Sequence, residues 1–478
     1  MATLLWLRDD LRLADNPALA AAMAAREPLA IVHVLDDESL RPIGAAARWW
    51  LHRSLQSLGA DLARRGQDLI LKRGRAARVI PQLAAEVGAS RAFWNRRYGP
   101  AATVDAAVEK TLAGRGIAVS TFKASLLFEP DEVMTRTGTP YRVYSAFWRA
   151  ALARGEPRRP LPKPRKLPPP VEGVTGESID ALRLLPVAPD WSGGIRASWQ
   201  PGEHGAAERL DAFADAVGDY GALRDRPDLP ASSMLSPHIR FGEVSPFQVW
   251  HAAAGATARP SASAAKFEAE LGWREFAWHI LAQVPDMARR NIRPEFDDFP
   301  WAVPYEDDMW DWRRGRTGFP IVDAGMRQLW ETGWMHNRVR MIVASFLTKH
   351  LLVDWRIGEE WFWETLVDAD PASNPFNWQW VAGSGADAQP FFRIFNPVTQ
   401  GEKFDPEGRY VRRHVPELAR LPAAVIHRPW EAGPLELAAA GVTLGETYPL
   451  PIVEHASARE RALAAFAKIG GKGGKPSP

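Results

Sequence analysis

The first 125 residues alternate between short apolar runs and helical stretches, and the alternation then stops. Residues 3–7 (TLLWL), 29–35 (LAIVHVL), 68–72 (DLILK), 91–94 (RAFW) and 117–121 (IAVST) read as buried strands. Between them, about 46–65, 76–87 and 103–113 carry apolar residues at helical spacing. Asp15-Asn16-Pro17 marks a further helix start, with Pro at the first helical position. Strand and helix repeated in this way leave few solutions, because short apolar strands joined by helices pair in parallel and are covered on both faces. The pattern predicts a doubly wound parallel sheet. Ligands of such sheets sit at the carboxyl ends of the strands. No GxGxxG turn follows the first strand and no P-loop is present, so a standard dinucleotide site is not expected here.

Residues 155–190 change regime. GEPRRPLPKPRKLPPPVEG is Pro-rich and basic and reads as a semi-extended connection. From about 200 onward helical periodicity dominates, with candidate helices near 204–217, 245–255, 264–284, 322–332, 334–350 and 359–367. The expected fold class is α/β plus all-α. Its boundaries are an α/β domain over 1–128, a linker over 129–199, a helical domain over 200–470 and a flexible tail over 471–478.

Composition narrows the function classes. With no Cys, disulfides, thiolate zinc sites and cysteine-held iron–sulfur clusters are excluded. No metal site is expected. No stretch of about twenty apolar residues suggests a membrane span, and the N-terminus meets charges too early for a signal peptide, so a cytoplasmic location is the default. The net charge of +2 settles no partner. Arg nonetheless clusters locally, at Arg289, Arg290 and Arg293, at Arg313, Arg314 and Arg316, at Arg338 and Arg340, and at Arg412 and Arg413. A solvated charged surface explains any one cluster, while forked contacts to phosphate suit Arg better than Lys. The 21 Trp exceed what packing alone needs and leave room for rings that stack on a ligand.

Polar residues crowd into the aromatic stretch from Thr332 to Trp380. Burying them unpaired is costly, so a flat polar ligand among them is expected. Asn337, Arg340 and Met341 share a helix face at i, i+3 and i+4, with Arg338 pointing elsewhere. A buried Arg340 calls for a carboxylate, and Asp368 and Asp370 are candidates. Trp378 and Trp380, two apart, face roughly opposite sides of any regular element. Glu270, Trp273 and Arg274 share another helix face, as a surface Glu–Arg pair beside a Trp or as a cavity wall. Ser232, Ser233 and Ser236 could cap a helix or cradle a phosphate.

Longer strings join these residues: Thr317-Gly318-Phe319-Pro320-Ile321-Val322-Asp323-Ala324, Thr332-Gly333-Trp334-Met335-His336-Asn337-Arg338, Trp378-Gln379-Trp380 and Phe392-Arg393-Ile394-Phe395-Asn396-Pro397. Trp6-Leu7-Arg8-Asp9-Asp10-Leu11-Arg12-Leu13 and Tyr141-Arg142-Val143-Tyr144 belong with them. Together they resemble the DNA photolyase/cryptochrome family, from residue 3 to about 465, and most closely its class I/III-type members that split cyclobutane pyrimidine dimers. The resemblance implies an α/β antenna domain, a linker and a helical FAD domain. It implies that Tyr220, Ser232, Ser233, Leu235 and Ser236 hold the FAD phosphates and ribose. Arg274, Arg340, Asp368, Asp370 and Asn374 would serve the rest of the cofactor, with Asn374 near its N5. Glu270, Trp273, Asn337, Met341 and Trp380 would line the pocket for a flipped-out dimer, with Arg224, Arg338 and Gln400 on the surrounding DNA. Trp378, Trp355 and Trp301 would relay electrons to the flavin, with Trp310 or Trp312 competing for the outermost place.

Within the family, members that repair 6-4 lesions carry His where this chain has Asn337 and Met341, and Met cannot donate a proton. Signalling cryptochromes usually replace the residue at Asn374 by Asp or Cys. The expected function is therefore light-driven dimer repair by a monomer acting on damaged DNA, with blue-light signalling as the alternative. Folate-binding members often have a Glu a few residues after the strand ending Phe93-Trp94-Asn95, where this chain has Arg96-Arg97-Tyr98-Gly99-Pro100. A methenyltetrahydrofolate in another geometry, a deazaflavin and an empty antenna site all stay open.

Overall fold

A computed structural model describes residues 1–255, 261–387 and 392–470. The predicted tail, 471–478, lies outside the described residues. The chain forms two compact units: Met1–Gly221 with Ser233–Asp286 and Val367–Ala372, and Ala222–Ser232 with Met287–Leu366 and Ser373–Pro478.

In the first unit, β1 (Ala2–Leu7), β2 (Leu29–Leu35), β3 (Leu69–Arg73), β4 (Ala89–Asn95) and β5 (Ala118–Phe122) form one parallel sheet, ordered β3-β2-β1-β4-β5. Each predicted strand is present within two residues of its expected ends. The order reverses at β1, which places the loop after it at a switch point. Trp6 and Trp94 meet edge to face at 5.5 Å, and Ile80, Leu83, Val108 and Leu112 from two covering helices complete one core. Buried charge in this region is mutually neutralised. The Arg8 guanidinium lies 4.2 Å from the Trp6 ring centroid and pairs with Asp105 at 2.9 Å, and Asp105 also takes Arg97 at 2.5 Å.

The Pro-rich connection is extended, as expected, yet it is also docked. Leu29 N donates to Pro169 O (2.9 Å), Gln67 Nε2 to Pro168 O (2.7 Å) and Glu177 N to Leu71 O (2.8 Å). Three further helices matter for the site: Tyr144–Leu152, Ala262–Gln283 and the short Ser236–Arg240.

The second unit is helical. Its site-bearing helices are Glu306–Arg314, Pro320–Thr332, Asn337–Ser345, Trp355–Thr365, Ser373–Ala382 and Pro397–Phe404. The string Thr317–Ala324 is a helix start: Asp323 accepts from Thr317 N and Oγ1 (both 2.7 Å), Gly318 N (3.1 Å) and Tyr448 OH (2.6 Å). Gly318, at φ +78°, is required there, since a Cβ would fall 2.4 Å from the Leu450 backbone. The single helix predicted over 334–350 is an α-helix that ends at Ser345 and continues as a π-helical turn, Phe346–His350. Turns of this kind mark places where one residue has been accommodated beyond the α-helical count. Among the described residues no helix is long and apolar enough to cross a membrane, and no cluster of His, Asp or Glu suits a metal ion.

Candidate functional site

The first unit carries the serine loop and the acidic segment. Tyr220 is buried edge-on against Phe213 and Phe267 (5.6 and 5.3 Å). Ser233 Oγ accepts from Leu235 N at 3.4 Å, and buried Leu235 caps the helix that begins at Ser236. Ser236 Oγ donates to Asp368 Oδ2 at 2.6 Å, so the predicted phosphate loop and the predicted acidic pair are joined directly. Asp370 Oδ1 accepts from Ala372 N (2.8 Å), and Arg240 Nε holds the Ala369 carbonyl between the two acids (2.9 Å). Both carboxylates are buried.

The same unit carries the wall predicted from Glu270, Trp273 and Arg274. All three are partly exposed on helix Ala262–Gln283. Trp273 is stacked on Tyr144, rings 3.7 Å apart and 9° from parallel. Tyr144 OH donates to Ala269 O at 2.6 Å. Burial and the charge of Glu270 both push the Tyr144 hydroxyl pKa up, so it stays a donor. Gly272 makes this crossing possible, because a Cβ would lie 2.7 Å from Trp148 and 2.9 Å from Tyr144 OH. Arg274 reaches Glu275 (3.0 Å) and also lines a small cavity of about 30 Å³ with Asp9, Arg97, Tyr98, Arg240 and Trp278.

In the second unit, His336 caps helix Asn337–Ser345 by accepting from Arg338 N at 3.2 Å. Burial holds its pKa down at about 4, so the ring is neutral and able to accept. Asn337 is exposed, and Arg340 and Met341 are half-buried along the same helix. Arg340 Nε donates to Met335 O (2.7 Å). Arg338 does point elsewhere, pairing with Asp225 (2.8 Å) over the Phe404 ring (4.4 Å). Arg224 lies 3.8 Å from Asp225, Ser232 is half-buried, and Gln400 sits half-exposed on helix Pro397–Phe404.

Helix Ser373–Ala382 carries the remaining candidates. Asn374 Nδ2 donates to both Glu359 O (3.0 Å) and Glu359 Oε1 (2.8 Å). With both amide hydrogens committed, Oδ1 is left as the acceptor the helix presents. Trp378 is buried, edge-on to Phe362 (4.9 Å) and Trp312 (6.4 Å). It reaches that depth because Gly358 has no Cβ, which would fall 2.2 Å from the ring. Trp380, two residues on, is half-exposed and lines a different cavity, as the spacing argument requires. Trp355 is fully buried with its Nε1 on Asn291 Oδ1 (2.9 Å), and Trp301 lies against Phe299 (4.3 Å). Trp312, not Trp301, is thus the further tryptophan seen in ring contact with Trp378.

Sequence reading missed Glu359, Tyr144 as the backing of Trp273, and Asn291. Each acts through a partner distant in sequence. Only Glu359 gave a signal, as an acid among the aromatics of GEEWFW.

The donors and acceptors present fit FAD. In the first unit, two buried carboxylates suit hydroxyl and N–H donors of such a cofactor and the serine loop suits a pyrophosphate; in the second, the Asn374 oxygen suits a flavin N–H. Comparison with known proteins agrees. Residues 3–167 match the DNA photolyase family model, and residues 267–468 match the FAD binding domain of DNA photolyase. A light-absorbing flavoprotein fold is thereby defined at both ends of the chain. The chain belongs to the photolyase/cryptochrome family. It is 51% identical to the deoxyribodipyrimidine photo-lyase of Agrobacterium fabrum, over 98% of each chain. Cryptochrome-1 of Arabidopsis thaliana is 39% identical, over 98% of this chain and 70% of that one. Among solved structures, a class III photolyase from Agrobacterium tumefaciens matches with a TM-score of 0.95 at 50% identity, covering 98% of both chains. A photolyase from Sulfolobus tokodaii, described with two FAD molecules and a novel light-harvesting cofactor, matches with a TM-score of 0.80 at 28% identity, over 98% of this chain and all of that one.

Proposed function

We propose that this protein uses light to split cyclobutane pyrimidine dimers in DNA, acting as a cytoplasmic monomer. The lock on Asn374 carries the reading. A neutral side chain whose oxygen alone is presented suits the N5–H of a reduced, negatively charged flavin, where a carboxylate would repel it. Tyr220, Ser232, Ser233, Leu235, Ser236, Arg274, Arg340, Asp368 and Asp370 would hold the rest of the cofactor. When bound, reduced FAD supplies one electron on excitation and takes it back, so opening of the two carbon–carbon bonds is redox-neutral overall. Trp378, with Trp355 and either Trp301 or Trp312, would recharge it from solvent.

The chain's own groups position the lesion. Extruding a dimer costs a few kcal/mol. Stacking on Trp273 and Trp380 returns about 1–3 kcal/mol per base, enough to offset most of that. Trp273 is held for the purpose by the Tyr144 stack on its other face. Glu270 would accept from the imide N–H of a thymine, Asn337 and Met341 would fill the pocket, and Arg224, Arg338 and Gln400 would meet the DNA around it. Functionally, 1–128 would be the antenna domain, 129–199 the linker and 200–470 the catalytic domain. The cleft beside Tyr98 and Trp278, at the carboxyl ends of β1 and β4, is our candidate for where a second chromophore, a folate or a deazaflavin, would dock.

Reduced protein under blue or near-UV light should restore dimer-containing oligonucleotide, and no repair with FAD bound would sink the assignment. Glu270→Ala and Trp380→Ala should each weaken dimer-DNA binding with FAD retained. Loss of FAD in both would show that these residues belong to the cofactor instead.

A further inference from the structure

Lys349 is the least expected residue of the second unit. It sits in the π-helical turn Phe346–His350, is 1% exposed, and among the described residues no carboxylate pairs with it. Burial drives its pKa well below the usual lysine value. Filling this space with a methionine would avoid desolvating an amine altogether. A lysine that persists in such a place has a specific bond to make.

That bond is to the end of the helix bearing Asn374, Trp378 and Trp380. Nζ donates to Ala382 O at 2.5 Å and lies 3.2 Å from the centre of the Phe392 ring. The last carbonyls of a helix lack intrahelical partners. Here Lys349 takes Ala382 O, Arg293 Nη1 takes Gly383 O (3.0 Å) and Arg293 N takes Ser384 O (2.9 Å). The chain then turns at Gly383 (φ +97°) and folds back, with Gly385 N on Gln379 O at 3.0 Å. The fold-back is tight enough that a Cβ on Gly385 would fall 2.8 Å from Trp380 N. Lys349, Arg293, Gly383 and Trp380 all line one small cavity of about 30 Å³.

We infer that Lys349 is a positioning residue for lesion recognition: by clamping Ala382 it fixes the turn that presses on the Trp380 backbone, and so sets the plane of the Trp380 ring. The inference rests on the reading of Trp380 as a stacking residue. Its effect should fall on damaged DNA alone, because undamaged duplex brings no extruded base to that ring.

A double-mutant cycle tests it, with dissociation constants measured for dimer-containing and undamaged oligonucleotides. Lys349→Met should keep FAD and the far-UV circular dichroism of the parent. It should weaken dimer binding roughly five- to tenfold, a fraction of a base-stacking contribution. Affinity for undamaged DNA should not change. In a Trp380→Ala background the same substitution should have no further effect. Equal weakening on both DNAs, or a full additive effect without Trp380, would overturn the inference. Should Lys349→Met fail to fold, Lys349→Gln, which keeps a donor to Ala382 O, must restore dimer binding or the clamp is refuted. If Trp380→Ala alone leaves dimer binding intact, the lesion pocket itself is misassigned, and that outcome is separate from the cycle.

Discussion

The sheet region and the helical unit bury polar groups by different rules. Around β1 and β4, Arg8, Arg97 and Asp105 neutralise one another, and Asp10 and Asn95 close the network, with Asn95 Nδ2 on Asp10 Oδ2 at 2.6 Å. In the helical unit, Lys349, His336 and Asn374 are buried away from any cluster of opposite charges, and bond to a carbonyl, a backbone N–H and a single Glu. The first arrangement maintains shape whatever is bound. The second holds His336 and Lys349 with pKa values pushed down by burial, as groups near functional sites often are.

Acid should expose the contrast most strongly. Burial depresses His336 to about 4 and His350 to about 3. The unfolded chain therefore binds protons that the folded chain refuses between pH 6.5 and about 4. Stability is full above pH 6.5 and falls as pH drops through that window, by on the order of 1 kcal/mol per histidine per pH unit. Protonating His336 also removes the cap acceptor of helix Asn337–Ser345. Amide exchange at pH 5 should thus open peptides from 337–350 well before those of β4, whereas β1, whose Leu7 carbonyl meets the buried His33 ring of pKa about 4, should be the more acid-sensitive strand of the two; the reverse order would break the comparison. Next in size, Arg8→Met leaves Asp105 to Arg97 alone and takes the donor from the buried carbonyls of Trp6 and Asn95, at a cost of about 1–3 kcal/mol in denaturant unfolding. A loss below 1 kcal/mol would mean that the sheet network is as dispensable as a surface pair. Smallest, Tyr144→Phe keeps the stack on Trp273 and removes only the bond to Ala269, costing about 0.5–1.5 kcal/mol. Dimer affinity should stay near the parent value. A large loss would show that the hydroxyl, and not the ring, supports the wall.

What could be read in advance follows from range. Strand and helix positions in the first 125 residues came out within a few residues because hydrophobic period is a local signal. The opposition of Trp378 and Trp380 was local too, a matter of two residues on one helix. The π-helical turn was not readable, since nothing at Phe346–His350 breaks the apolar period that supported a single helix. Nor were the Asn374–Glu359 lock, the Tyr144–Trp273 stack and the Lys349–Ala382 clamp, each of which joins elements whose adjacency only tertiary packing decides. The family resemblance supplied roles for Asn374 and Trp380 but was silent on what fixes them.

The docked proline-rich segment has a consequence of another kind. β3 is the outer strand of a parallel sheet, and such a border is an open template on which a second chain can add. Glu177 occupies the Leu71 carbonyl on that border, and the prolines before it have no N–H to offer a newcomer. The segment that reads as a mere tether between domains therefore also covers part of that border, and a cut within 165–175 should raise the tendency of the protein to associate through β3.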